Sequence, residues 1–315
     1  MGRWHADAAR RAGAQVSAIF DPDRGRAAHL AARYRGCQAV ADVRALLERS
    51  EVVHICTPTA THASLARQAL EARRHALVEK PIAPSAAETI DLLHTAERRG
   101  ALLCPVHQFL FQDGVQRALA GLATIAPLRH IDISICSAGA DGAPQDRRAQ
   151  IAREILPHPL SMLQRILPSG LSVLDWHVRS PIDGDICAVT EADGVTISLL
   201  VSMSGRPTVN QCRLIGASGT IEVDLFHGFA ATYAGTISRT RKIMHPFVQA
   251  ATTAAAAGMN LTRRVWQQEP AYPGLRRLVR LFYDAVERQA ASPIAAAEIV
   301  AVARAWDRFV GRCAA

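Results

Sequence analysis

Short β-branched runs alternate with amphipathic helical segments between residues 15 and 106, and this alternation restricts the fold more than any other feature. The predicted strands cover residues 15–20, 37–40, 51–56, 75–78 and 101–106. The helices predicted between them cover residues 23–34, 43–48, 61–73 and 85–99. Strands that alternate with helices in this way pair in parallel through crossover connections. We therefore predict an α/β domain built on a doubly wound parallel sheet.

A different pattern begins after about residue 110, with longer extended runs and few crossovers. These runs cover residues 128–136, 172–179, 186–190, 194–201, 208–215 and 220–225. The turns Ala192-Asp193-Gly194 and Ala217-Ser218-Gly219 suit hairpins, so most of the pairing should be antiparallel. Helices are predicted over residues 149–166, 274–289 and 294–310, while residues 238–272 show no clear period and suggest an insertion or arm. We expect two domains, 1–108 and 109–315, the second of the α+β class.

Charge and cysteine usage narrow the classes of function. The net charge of +8 would suit an anionic ligand, but the arginines are spread over many predicted helices, so we expect no nucleic-acid partner. Lys80 and Lys242 are the only lysines, which makes a lysine at position 80 conspicuous. Seven scattered cysteines predict reduced thiols, no metal site and a cytoplasmic protein. No signal peptide or membrane partner is expected.

Ligands of an open parallel sheet bind beyond the carboxyl ends of its strands, so the residues just after each strand are informative. Asp21 could accept hydrogen bonds from ribose hydroxyls and repel the extra phosphate of NADP, or it could simply form a turn before Pro22. The turn from Thr57 to His62 precedes a helix that Thr61 could cap. Glu79-Lys80-Pro81 follows a buried strand, where a solvated charge pair is the alternative to a catalytic role.

The Thr57-Pro58 to His62 turn, followed seventeen residues later by Glu79-Lys80-Pro81, resembles the Gfo/Idh/MocA oxidoreductase family. The similarity extends from Met1-Gly2-Arg3-Trp4-His5 to Gly216-Ala217-Ser218-Gly219-Thr220-Ile221-Glu222 and the terminal helices. The family has a Rossmann domain followed by an α/β domain with a large open sheet. Its members oxidise or reduce sugars, inositols and related alcohols with NAD(P).

The resemblance implies a role for each matched position. Lys80 would hydrogen-bond the substrate hydroxyl and the nicotinamide ribose, His158 would be the base that takes the hydroxyl proton, and Glu154 would orient His158. The cofactor would be NAD, with NADP as the alternative. The residues expected to contact it are Gly2, Arg3, Trp4, Asp21, Thr57, Pro58, His62, Glu79, Lys80, Pro81, His107 and Gln108.

Two departures from the family pattern affect these expectations. The chain opens on the Met1-Gly2 that ends the Gly-x-Gly-x-x-Gly fingerprint, and we expect a start codon assigned about ten residues late. The alternative is a truncated chain with impaired cofactor binding. In the second domain, Glu154 stands where the family has Asp, and Pro157 and Pro159 disfavour a regular helix through 154–158.

Two functions from different classes fit these features. The first is an enzyme that transfers hydride between NAD(P) and a secondary alcohol of a sugar, cyclitol or nucleotide sugar. The second is a non-catalytic sensor of the same fold that binds a dinucleotide or a sugar. We also expect a homo-oligomer, dimer or tetramer, if the open face of the second sheet is apolar.

Overall fold

The computed structural model describes residues 1–235 and 238–313, which form two compact units. The first unit consists of Met1–Val106 together with Leu275–Ala303. The second unit consists of His107–Gly274 together with the residues from Arg304 onward. The stretch from 275 to 303, which the sequence analysis placed in the second domain, is thus counted with the first unit. Hydrogen bonds from Tyr283 to His54 and from Ser292 to Leu103 attach it there.

The first unit alternates helices and strands through Pro105. The helices are α1 (Gly2–Arg11), α2 (Arg24–Ala31), α3 (Val43–Glu48), α4 (His62–Glu71) and α5 (Ala86–Arg99). The strands are β1 (Ala18–Ile19), β2 (Gln38–Ala39), β3 (Val52–Ile55), β4 (His75–Val78) and β5 (Leu103–Pro105). Side chains of Asp23, Asp42 and Ser85 accept backbone N–H groups at the starts of α2, α3 and α5, which is why those helices begin there.

The parallel strands of the first unit form two sheets. β1 pairs with β2, while β3, β4 and β5 form a separate sheet in that order. In the central strand β4, Ala76, Leu77 and Val78 are apolar and fully buried, as expected where helices cover both faces of a parallel sheet. This arrangement brings the residues after β3 and β4 to the same edge, where the sequence predicts the site.

The second unit is built on one seven-stranded sheet in the order β12-β11-β10-β6-β9-β8-β7. The pairing is antiparallel throughout, except that β6 and β9 run parallel. The strands are β6 (Leu128–Cys136), β7 (His177–Arg179), β8 (Asp185–Ala192), β9 (Val195–Ser202), β10 (Val209–Gly216), β11 (Gly219–Asp224) and β12 (Phe229–Ala234). The helices of this unit are α6 (Asp113–Ile125), α7 (Gln145–Ile155), α8 (Pro157–Ile166) and α9 (Arg239–Trp266). The chain then continues through α10 (Leu275–Glu287) and α11 (Ala296–Cys313).

The two faces of the seven-stranded sheet differ in polarity. One face buries Ile133, Ile197 and Leu214 in the core. The other carries polar side chains that bond one another, such as Ser198 to Asp132. The expectation of a homo-oligomer depended on an apolar open face. The open face is polar, so it does not meet that condition.

Three helical segments differ from the sequence predictions. Residues 238–272, which show no clear period in the sequence and suggested an insertion or arm, contain the 28-residue helix α9. The single helix expected over 149–166 is two helices, because Pro157 ends one and occupies the first turn of the next. This break confirms that the two prolines disrupt a regular helix through 154–158. Helix α6 was not predicted.

No helix in the described parts of the chain combines the length and the apolar character needed to cross a membrane.

Candidate active site

The turn after β4 gives Glu79 and Lys80 different environments. The backbone N–H of Glu79 donates to the carbonyl of Ile55, which extends the parallel pairing by one residue. The Glu79 side chain points inward and is 8% exposed, and its Oε1 lies 3.1 Å from Nε2 of His5. Lys80 is half-buried at the carboxyl edge of the sheet. The tripeptide is therefore not a solvated charge pair: the carboxylate is an internal group and only the lysine lies toward the edge.

His5 connects Glu79 to a buried chain of hydrogen-bonding side chains. Nδ1 of His5 lies 3.0 Å from Nδ1 of His54, and Nε2 of His54 lies 3.1 Å from the hydroxyl of Tyr283. The side chains come from α1, β3, the end of β4 and α10, so four segments of the first unit meet here. His5 is only 1% exposed, so solvent does not satisfy its ring nitrogens.

The electrostatics of this chain favour a charged His5. Burial lowers the pKa of His5, but Cys56 and the Glu79 carboxylate outweigh it and raise the pKa to about 10. Burial and the nearby positive His5 hold the pKa of His54 well below its usual range. Burial raises the pKa of Glu79, yet the hydrogen bond and charge of His5, followed by Lys80, lower it overall. An imidazolium–carboxylate pair is thus enclosed beneath the turn that carries Lys80.

The turn after β3 is fastened to the turn after β4 by His62. Its Nδ1 lies 2.7 Å from the carbonyl oxygen of Pro81, and its Nε2 lies 2.8 Å from that of Thr57. Both ring nitrogens of this buried residue are therefore engaged by backbone groups, and a cofactor could contact only other atoms of His62. Thr61 was expected to cap α4, but its hydroxyl bonds back to Thr57 and Pro58 instead.

The remaining predicted contacts of the first unit lie at the ends of α1 and β1. Asp21 Oδ1 accepts the backbone N–H of Asp23, so one oxygen forms the turn predicted as the alternative role. Gly2 begins α1, whose N-terminus has no side-chain cap, and such an end can receive a phosphate group. The Arg3 guanidinium lies 4.5 Å from the centre of the Trp4 ring. These positions remain predictions as cofactor contacts.

His107 and Gln108 begin the second unit and are both buried. Gln108 Oε1 has no hydrogen-bond partner among the described residues. A buried acceptor of this kind is costly unless a ligand or water satisfies it. Gln108 therefore provides an acceptor suited to an amide-bearing ligand such as nicotinamide.

Glu154 and His158 lie on consecutive helices. Glu154 is in the last turn of α7, where its Oε1 accepts from Gln150 Nε2 at 2.8 Å. His158 is in the first turn of α8, is 6% exposed, and stacks on the Phe109 ring with a centroid distance of 4.2 Å. The stack fixes the plane of the imidazole. The break between the helices removes the same-face placement that a spacing of four would give within one helix.

Sequence reasoning missed His54 and Tyr283 as parts of the site, and it singled out His5 only within the family resemblance. His54 lies inside a predicted strand, and a residue within a strand gives no local indication of a role beyond packing. Tyr283 lies 229 residues later in the chain than His54, on a helix assigned to the other domain. No local pattern indicates such a pairing.

Comparisons with known proteins agree with the fold. Residues 1–107 match the Gfo/Idh/MocA oxidoreductase family, NAD-binding Rossmann fold. A dTDP-3,4-didehydro-2,6-dideoxy-alpha-D-glucose 3-reductase from Streptomyces violaceoruber is 30% identical over 267 residues, 76% of this chain and 75% of that protein. A UDP-N-acetylglucosamine 3-dehydrogenase from Acidithiobacillus ferrooxidans is 37% identical over 122 residues, 36% of this chain and 38% of that protein.

Solved structures show the same fold over almost the whole chain. Levoglucosan dehydrogenase in complex with NADH and levoglucosan superimposes with a TM-score of 0.77 at 16% identity, covering 100% of this chain and 94% of that one. The chain belongs to the Gfo/Idh/MocA oxidoreductase family. It is an NAD(P)-dependent oxidoreductase with an N-terminal Rossmann domain, as the resemblance implied.

The residues present fit a nicotinamide dinucleotide in the chemistry of their donors and acceptors. The uncapped start of α1 provides N–H groups for an anion, Asp21 keeps a second carboxylate oxygen for hydroxyl groups, and Lys80 provides an ammonium at the strand ends.

Proposed function

We propose that this protein transfers hydride between NAD(P) and a secondary alcohol of a sugar, with a nucleotide-linked sugar as the preferred class. The support is the relatives' chemistry, since the reductase from Streptomyces violaceoruber and the dehydrogenase from Acidithiobacillus ferrooxidans both carry nucleotide sugars in their names. Cyclitols and free sugars form the wider class, because an inositol dehydrogenase of Saccharopolyspora erythraea is 34% identical over 110 residues.

The proposed reaction balances without any further reactant. The bound cofactor accepts or supplies the hydride at its nicotinamide ring. In the oxidation, the C–H and O–H bonds of the alcohol break, a C=O bond forms, and the proton leaves to a base. We assign the base to His158 and the hydrogen bond to the reacting oxygen to Lys80. Glu154 stays a prediction as the group that orients His158.

The placement of Lys80 is the observation that carries this assignment. Its side chain follows the central strand β4 at the ligand-binding edge of the sheet, while the adjacent Glu79 is turned inward onto His5. An ammonium there can stabilise the developing alkoxide.

Kinetics of single variants test the assignment. With nucleotide sugars, free sugars and inositols as the substrate panel, Lys80→Ala and His158→Ala should each lower kcat by at least ~100-fold. The matched control His94→Gln, at an exposed position of α5, should leave kcat unchanged. Unchanged rates in both site variants would refute the assigned roles.

A titration separates the enzyme from the alternative of a sensor. An enzyme binds NAD(H) and turns over at least one member of the panel. Cofactor binding without turnover of any member would favour the non-catalytic reading.

We also propose that the protein is a homo-oligomer that associates through α9 rather than through the polar sheet face. Eight large apolar side chains on this helix are between 50% and 86% exposed: Ile243, Met244, Phe247, Val248, Met259, Leu261, Val265 and Trp266. Their combined exposed area is on the order of 1,000 Å², whereas each partner of a standard interface buries ~800 Å². This surface is large enough for a stable dimer.

The order of residues along α9 points to a second copy as the partner. Bulky residues lie at both ends, and small ones, from Ala250 to Gly258, lie between them. A two-fold axis between Ala254 and Ala255 would place position 243 opposite 266 and 244 opposite 265 in an antiparallel pair. Small residues at the crossing would let the two helices approach closely.

Light scattering tests this surface. The native chain should have at least twice the monomer mass at micromolar concentration, and Phe247→Glu should weaken association ~10-fold or more. The control Ile182→Glu changes an exposed apolar residue outside α9 and should not. A monomeric native chain would refute the proposal. If that monomer binds vesicles containing phosphatidylserine through this basic helix, the apolar surface serves a membrane instead.

We propose a cytoplasmic location because all seven cysteines are free thiols, which suits a reducing compartment.

A further inference from the structure

We propose that His5 is a positioning residue for the reaction, acting through Glu79 to hold the backbone of Lys80, with His54 and Tyr283 holding His5 in turn. The proposal rests on the proposed function, because it assigns a purpose to a buried network beneath the proposed catalytic lysine. His5, His54 and Tyr283 have no role in the hydride transfer itself.

Every histidine donor of the network meets an acceptor when His5 is charged. A charged His5 donates from both ring nitrogens, so Nε2–H donates to Glu79 and Nδ1–H donates to His54. Nδ1 of His54 must then be the acceptor, which requires a neutral ring whose proton is on Nε2. That Nε2–H donates to the hydroxyl oxygen of Tyr283. The directions of the pKa shifts of the two histidines agree with this assignment.

The network ends on the backbone of the proposed catalytic residue. The Glu79 carboxylate accepts the backbone N–H of Lys80 in addition to Nε2–H of His5. A carboxylate held by a buried cation has one orientation, and the peptide N–H that it accepts is fixed with it. His5 thereby fixes the backbone position from which the Lys80 side chain extends, without contacting substrate or cofactor.

The surrounding groups favour a charged His5. The groups that face it are Cys56, the Glu79 carboxylate, the neutral His54 and, beyond Glu79, the Lys80 ammonium. Two of these favour the proton on His5, and Lys80 is separated from it by the carboxylate. The network is therefore arranged to keep an ion pair under the turn at neutral pH.

A double-mutant cycle with the full chain distinguishes positioning from general support of the fold. His5→Gln should lower kcat by ~10- to 100-fold and change the KM for the cofactor far less, since a small misplacement of a catalytic group is enough. In a Lys80→Ala background, His5→Gln should change kcat by less than ~2-fold, because the group that it positions is gone. The control His94→Gln should change neither. Tyr283→Phe, which keeps the ring, should lower kcat less than His5→Gln does. In the Lys80→Ala background it should lower kcat no further.

Amide hydrogen exchange tests the network even if no sugar is turned over. The Lys80 N–H should exchange ~10-fold faster or more in His5→Gln than in the native chain. Nitrogen shifts of the histidine rings at pH 8 should show a doubly protonated His5 and a His54 protonated on Nε2. Faster exchange without turnover of any substrate would refute the proposed function but retain the network. Independent, additive effects of His5→Gln and Lys80→Ala on kcat, or unchanged exchange at Lys80, would overturn the positioning role.

Discussion

At the scale of single residues, two side chains predicted to contact the cofactor also hold the turns after β3 and β4. His62 ties the turn after β3 to the turn after β4, and Glu79 faces His5. The rarity of lysine in this chain and the position of Lys80 directly after a strand predicted that Lys80 lies at the ligand-binding edge of the sheet. The inward direction of Glu79 was not predictable, because it depends on a histidine 74 positions earlier in the chain.

The raised pKa of His5 predicts how stability depends on pH. Unfolded His5 titrates near 6.5 and folded His5 near 10, so its stabilising charge is fully present below pH 6.5 and is lost as the pH rises through about 10. Thermal unfolding of the native chain between pH 6.5 and 10 should show a loss of stability on the order of a few kcal/mol, at ~1.4 kcal/mol per pKa unit. His5→Gln should flatten this dependence. An equal slope in both proteins would contradict a charged His5.

At the scale of helices and strands, local patterns predicted most of the first unit. Strand β4, helix α3 and strand β6 have the predicted bounds, because turn residues or capping aspartates mark their ends. The prediction failed where tertiary packing decides. α9 is rich in alanine and lacks a simple amphipathic period, since it packs on β12 by one side while its other side stays apolar. β12 was missed because it is short and rich in alanine.

Two glycines give a matched test of the packing between elements. A Cβ at Gly216 would overlap the backbone oxygen of Ile125, which cannot move aside easily. Gly216→Ala should therefore destabilise the protein by ~1–3 kcal/mol or more. A Cβ at Gly258, within α9, meets nothing within 4 Å, so Gly258→Ala should be neutral or stabilise by up to ~1 kcal/mol. Denaturant unfolding measures both, and equal effects would contradict the close approach of β10 to the end of α6.

At the scale of the whole molecule, the fold class was predictable from the alternation of strands and helices alone. Which segments of the chain make up each unit was not. The parallel and antiparallel sheets follow from the two sequence patterns, and the structure confirms both. Residues 275–303 belong to the first unit because α10 packs there. No spacing in the sequence predicts this packing. The network of His5, His54 and Tyr283 depends on that packing, so the sequence could not show it either.

Transfer of isotope from substrate to cofactor tests the central claim most directly. A sugar or nucleotide sugar deuterated at the carbon to be oxidised should pass its deuterium to the nicotinamide ring, one label for each NADH or NADPH formed. Lys80→Ala should slow this transfer by at least ~100-fold, and His94→Gln should not. Absence of label in the reduced cofactor, or no cofactor reduction by any member of the substrate panel, would contradict the account.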